Sequence, residues 1–129
     1  MVAIARVSMM KPATLLIPVP DVNLGLEWYK RAFPRVESIY LEEFDFTLLK
    51  IKDFILEIVQ ADDKVYSGKN GTIMYWSVPY LKTAIQHFQT IGAKLYRGPM
   101  VIENGLGMCQ LEEPFGNLIG LRGNFQITK

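Results

Sequence analysis

What the chain has little of narrows its chemistry before any motif is read. Its 129 residues include one cysteine, Cys109, and one histidine, His87. A single cysteine excludes an intramolecular disulfide and suits a reducing cytoplasm. A catalytic divalent metal usually takes three protein ligands and keeps one position open. One histidine and one cysteine leave such a set to carboxylates, which magnesium or calcium would accept. Neither sign of charge dominates: Lys plus Arg is 14, Asp plus Glu is 13, and the net charge is +1. That balance offers no electrostatic footprint for nucleic acid. No apolar run approaches the ~20 residues of a membrane-spanning helix, so no membrane partner is expected. The opening "MVAIARVSMMKP" lacks an apolar core followed by a small-residue cleavage site, so no signal peptide is expected.

What is present is a hydrophobic half. Fifty per cent of the residues are apolar, enough for a real core in a single domain over 1–129. The clearest boundary inside it is the polar run "DDKVYSGKNG" at 62–71, and the segments on either side of it match. "LLIPVPDVNLGLEWYKRAF" at 15–33 lies over "MYWSVPYLKTAIQHFQTIG" at 74–92. Val19-Pro20 falls on Val78-Pro79, Leu26 on Ile85 and Tyr29 on Phe88. Each half opens with a short apolar strand, a Val-Pro turn and an amphipathic helix. Val22, Leu26, Tyr29 and Phe33 sit at helical spacing, as do Leu81, Ile85, Phe88 and Ile91. Asp21 suits the N-cap of the first helix, Pro34 ends it, and Gly92 ends the second in a left-handed conformation.

Strand patterns follow each helix. In the first half they cover Glu37–Glu42, Phe46–Lys52 and Phe54–Gln60, with Lys52-Asp53 as the hairpin turn. In the second they cover Lys94–Arg97 with an irregular continuation towards Ile102, then Gly107–Leu111 and Asn117–Arg122. Leu56-Glu57-Ile58 falls on Ile119-Gly120-Leu121, so the second half carries four more residues before its last strand. The pattern predicts an α+β class: two tandem β-α-β-β-β units, at about 12–60 and 71–124.

The run "EEPFGNLIGLR" at 112–122 reads as a turn followed by a strand with a glycine, Gly120, inside it. A strand glycine weakens packing and often marks a close approach. The order of elements, "VPDVNLGLEWYKRAFP", "TIGA" at the end of the second helix and above all "LEEPFGNLIGL" resemble the vicinal oxygen chelate superfamily. That group includes glyoxalase I, extradiol dioxygenases, fosfomycin-resistance transferases and bleomycin-resistance proteins. The resemblance covers about residues 12–124 and implies the glyoxalase/bleomycin resistance/dioxygenase fold, in which two units curl around a cavity.

The resemblance also implies a ligand set. Metal enzymes of this superfamily place one ligand on the first and one on the last strand of each unit. Those positions here are about Thr14, Glu57, Ile73 and Gly120. Only Glu57 fits the glyoxalase pattern, and no cofactor is expected. Residues two apart on a strand share a face, so Ile55, Val59, Tyr75, Leu118 and Arg122 are expected to face the cavity with them, and Leu16 and Pro18 to share the face of Thr14. Tyr75 and Trp76 point to opposite faces, one of them inward. The expected ligand-binding set is Thr14, Leu16, Glu57, Ile73, Tyr75, Trp76, Gly120 and Arg122. The glycine at 120 would leave more room for a ligand.

Glu57 is the residue to carry chemistry, as a general base or as the partner of a cationic ligand. It could instead be held structurally, hydrogen-bonded or salt-bridged to Lys50, Arg122 or the other unit. His87 reads as a solvated helix residue, and Cys109 as a small core residue. Trp28-Tyr29 reads as one core residue and one interface residue. The acidic Glu37, Glu42, Glu43 and Asp45 read as a solvated edge that resists aggregation, or, by the same resemblance, as a surface that attracts a cationic drug. Two functions follow from the resemblance. One is a metal-free protein that sequesters a small organic compound or antibiotic, similar to bleomycin-resistance proteins. The other is a glyoxalase-like lyase, isomerase or dioxygenase using Glu57 or an unusual metal site. A homodimer is expected by the same analogy.

Overall fold

The computed structural model describes residues 10–125. The reading of the N-terminal segment as lacking a signal peptide falls outside them for residues 1–9. The first unit contains strand β1 (Thr14–Val19), helix α1 (Val22–Ala32), β2 (Glu37–Leu41), β3 (Phe46–Ile51) and β4 (Phe54–Gln60). The second contains β5 (Tyr75–Tyr80), helix α2 (Leu81–Thr90), β6 (Lys94–Val101), β7 (Leu106–Glu112) and β8 (Leu118–Asn124). Each unit forms its own four-stranded mixed sheet, ordered β1-β4-β3-β2 and β5-β8-β7-β6. In each, the first and last strands run parallel and the other neighbours antiparallel. The curled mixed sheet that the resemblance implies is therefore two sheets of identical topology.

The local signals act as expected. Asp21 caps α1, its carboxylate accepting the Leu24 amide at 3.2 Å, which satisfies one of the free donors of the first turn. Lys52 turns the β3–β4 hairpin at a φ of 53°, and Gly92 leaves α2 at a φ of 100°. Helix α1 comes down closely on β1 and β4 because residue 25 is glycine. A Cβ there would lie 2.8 Å from Ile58 Cγ2 and 2.9 Å from Val19 Cγ2.

A single core joins the two units. Val19, Leu49, Leu56 and Ile58 from the first sheet are fully buried, as are Leu81, Cys109, Leu111 and Leu121 from the second unit. Cys109 is the core residue expected, and burial pushes its thiol up to about 11. Trp28-Tyr29 departs from expectation, since both are buried. Each reaches across to the second unit: the Trp28 indole donates to Ile91 O at 2.6 Å and the Tyr29 hydroxyl to Glu113 at 2.6 Å. Polar tips on large apolar bodies let one helix pack and hydrogen-bond at once. His87 also departs from the solvated reading. It is half-buried, its Nε2 lies 3.1 Å from Ala32 O, and its ring packs edge-on to Phe88.

The sheet edges are treated differently. Strand β2 is the edge of the first sheet, with Glu37 and the exposed turn 42–45 beside it, as the acidic-edge reading anticipated. Strand β6, the corresponding edge of the second sheet, is exposed along its length and broken by register shifts near Arg97 and Met100. Irregular edges of this kind resist the addition of a further strand. Neither helix is long and apolar enough to cross a membrane.

Candidate functional site

Register assigns the faces of the first sheet. Leu16 lies opposite Glu57 and Thr14 opposite Ile55, and these share a face with Val59. Ile17, Val19, Leu56 and Ile58, on the other face, belong to the core. Glu57 is half-buried on the open face. Neither Lys50 nor Arg122 bridges to it: among the described residues Arg122 pairs with Glu103, at 2.9 Å. The Thr14 hydroxyl is likewise engaged, donating to Ile55 O at 3.1 Å.

Position 120 is occupied by a neighbour. Tyr75 lies directly across from Gly120 in the β5–β8 ladder, and Gly120 lies across from Gln110 in β7. A Cβ on residue 120 would sit 2.6 Å from the Tyr75 ring. The ring therefore lies on the glycine, and Gln110 Nε2 donates to its hydroxyl at 2.8 Å. The extra room expected at Gly120 goes to Tyr75, not to a ligand. Trp76 turns the other way, as alternation requires, and packs against Phe33 at 4.5 Å between ring centroids. Among the described residues no three His, Cys, Asp or Glu side chains converge as a metal would need.

The cleft that does form lies where β1 meets the linker and the start of β8. It has a volume of about 190 Å³, and Leu16, Ile73 and Trp76 from the expected set line it. Pro18, Tyr66, Lys69 and Asn117 add polar and backbone groups. Thr14, Glu57, Tyr75, Gly120 and Arg122 lie outside its wall.

Asn117 holds this cleft together. Its Nδ2 donates to Pro18 O at 2.9 Å, and its Oδ1 accepts the Gly68 amide at 3.1 Å. Ser67 Oγ donates to the same Pro18 carbonyl at 2.7 Å. That carbonyl is on an edge strand, where no ladder partner satisfies it. Lys69 is drawn to Glu112 at 3.3 Å, which fixes the linker over the start of the last strand.

Beneath Asn117 sits Glu113, 1 % exposed. Oε1 accepts the amides of Phe115 and Asn117, both at 2.8 Å. Oε2 accepts the Tyr29 hydroxyl at 2.6 Å and Asn117 Nδ2 at 3.2 Å. Burial raises the Glu113 pKa above the usual carboxylate range, and these hydrogen bonds oppose the rise. Burial, then the neighbouring carboxylate, raises the Tyr29 phenol well above its usual value. The run "EEPFGN" is a signature in the sequence, and no role was legible there for its acid Glu113. The available signal was the acid's place directly before a Pro-x-Gly-Asn turn, whose free amides need an acceptor.

No protein-family model matches the chain, and no curated protein matches it in sequence. Its fold is shared with solved structures. One is a glyoxalase/bleomycin resistance protein/dioxygenase family enzyme from Burkholderia phytofirmans PsJN, with a TM-score of 0.67 at 15 % identity, over 86 % of this chain and 96 % of that one. A second is a glyoxalase-related enzyme from Fulvimarina pelagi, with a TM-score of 0.71 at 12 % identity, over 90 % and 89 %. A third is the fosfomycin resistance protein FosX from Listeria monocytogenes, with a TM-score of 0.71 at 11 % identity, over 89 % and 91 %. The chain has the glyoxalase/bleomycin resistance/dioxygenase fold, that of the vicinal oxygen chelate superfamily.

Proposed function

We propose that this protein binds a small organic molecule without a catalytic metal, using the cleft between its two units. The observation that carries the reading is the Tyr75 ring seated on Gly120. It fills the position where the superfamily resemblance puts a metal-binding glutamate. A fold hosts many chemistries, and the site decides among them. This site supplies an apolar wall of Leu16, Ile73 and Trp76, with Lys69 and Asn117 as polar handles. Such a lining suits a compact ligand with one anionic or hydrogen-bonding group. Sequestration of a compound or antibiotic is the use we assign to it, and a homodimer is the working form. Leu16, Leu95 and Met100 are apolar and exposed on this chain, and a second copy would cover surface of that kind.

Metal analysis of freshly purified, untagged protein tests the reading, with thermal shifts against divalent ions in the same session. The expected result is no stoichiometric metal and no ion that raises the melting temperature. Stoichiometric metal that is lost in Glu57→Ala would overturn it, and a lyase, isomerase or dioxygenase built on Glu57 would lead. Light scattering across a concentration series tests the dimer.

A further inference from the structure

A second hollow lies on the helical side of the molecule, across Trp76 from the cleft. It is a groove of about 430 Å³ between the end of α1, strand β5 and one face of α2. That volume is within the range of ~300–1,000 Å³ common for small-ligand pockets. Phe33, Trp76 and Phe88 contribute its aromatic wall, with the Phe33 ring 4.5 Å from Trp76 and 5.9 Å from Phe88. Among the described residues no Asp, Glu, Lys or Arg lines it. An ionic ligand would lose its hydration there without compensation.

Two polar residues stand one turn apart on the α2 side, Thr83 and His87. Side chains four apart on a helix are neighbours. The carbonyl of Ala32 can only accept, so the His87 Nε2 that faces it at 3.1 Å carries the proton. Neutral imidazole then keeps Nδ1 as an acceptor, and no described residue bonds to it. Thr83 Oγ1 is shut off from solvent and has no hydrogen-bond partner. A rotation of ~120° about χ1, between the two rotamers that helical threonines share, moves that hydroxyl to another staggered position. One face of the groove thus sets His87, and a threonine whose hydroxyl is unused, beside an aromatic wall.

We propose that this groove is a binding site for a neutral aromatic molecule bearing a hydroxyl group, of the phenol class. The ring packs against Phe33, Trp76 and Phe88. The ligand hydroxyl donates to His87 Nδ1 and accepts from Thr83. This site is independent of the ligand bound in the cleft between the units.

The test uses p-cresol and toluene, which differ by the hydroxyl alone, titrated into the full chain and followed by amide correlation spectra. The expected result is that p-cresol shifts the Thr83, Ala84 and His87 signals and binds roughly five-fold tighter than toluene, the worth of about one net hydrogen bond. His87→Phe keeps an aromatic ring and abolishes that preference. Thr83→Val, a change of nearly constant shape, reduces it. Shifts confined to Gly68, Lys69 and Asn117 would place the ligand in the other cleft and overturn the proposal. Equal binding of the two probes, no shift at the solubility limit, or an unchanged preference in both variants would also overturn it. If His87→Phe does not fold, the Thr83→Val comparison decides.

Discussion

The hydroxyl of Tyr29 and the carboxylate of Glu113 meet at 2.6 Å across 84 residues of chain, inside the core. The contact ties the first helix to the β7–β8 turn. It also makes Glu113 the acceptor for four donors on three residues, Tyr29, Phe115 and Asn117.

Removing that acceptor leaves buried donors without partners, each worth ~1–3 kcal/mol. Glu113→Ala should lower the unfolding free energy by at least about 3 kcal/mol in urea. Glu113→Gln, which keeps an acceptor oxygen, should lose less. Tyr29→Phe should lose about 1–2 kcal/mol, since it deletes one donor and strands part of one charge. Equal losses for Glu113→Ala and Glu113→Gln would show that shape rather than hydrogen bonding matters here.

The same carboxylate sets a pH dependence. Its folded pKa is raised by burial, so the folded state holds a proton that the unfolded state has released. The stabilisation this gives is fully present below the unfolded pKa, and it is lost as pH rises through the folded value. Urea midpoints should therefore contain a component that falls with rising pH above the ordinary glutamate range of ~4.3. Subtracting the Glu113→Gln profile from that of the wild type isolates this component. A difference that rises with pH over the same interval would reverse the assigned sign.

Position 120 offers a direct test of packing. Gly120→Glu drives a side chain into the Tyr75 ring, 2.6 Å from where its Cβ must lie. Overpacking of that kind costs about 1–3 kcal/mol. The double variant Gly120→Glu/Tyr75→Ala should recover part of the loss, because it vacates the ring's place. Melting temperatures of the three variants decide, and an unperturbed Gly120→Glu would mean that Tyr75 swings aside freely.

Asn117 should control the cleft locally. Asn117→Ala removes the acceptor of the Gly68 amide and a donor to Pro18 O. Hydrogen exchange at Gly68 should speed up by an order of magnitude or more, on the scale of about one to two net hydrogen bonds. Amides in the β7–β8 ladder, such as Leu111, should change less. Unaltered exchange at Gly68 would show that Ser67 and Lys69 alone hold the linker.

The repeat, both helices, Asp21 as a cap, Gly92 as a terminator and the Lys52-Asp53 turn were all readable from short stretches. The opposed faces of Tyr75 and Trp76 were readable too. These depend on periods of two and 3.6 residues and on turn chemistry, which neighbours in sequence settle. Three of the residues lining the cleft, Leu16, Ile73 and Trp76, were in the expected set. Glu57 was legible as a strand acid opposite Leu16, but its surroundings were not.

By itself the sequence determined the architecture, two β-α-β-β-β units with matching turns, because that information is local and is written twice. Tertiary structure alone decided what fills each site, because a missing side chain does not say which neighbour moves in. Gly120 reads equally well as room for a ligand and as a seat for Tyr75, and only the pairing of β5 with β8 chooses. Trp28 donates to a carbonyl 63 residues away, Tyr29 to a carboxylate 84 away and Asn117 to a carbonyl 99 away. No periodicity reaches that far. Those contacts exist because two separately legible units bury one core between them, and each buried polar group takes the partner that the packing brings to it.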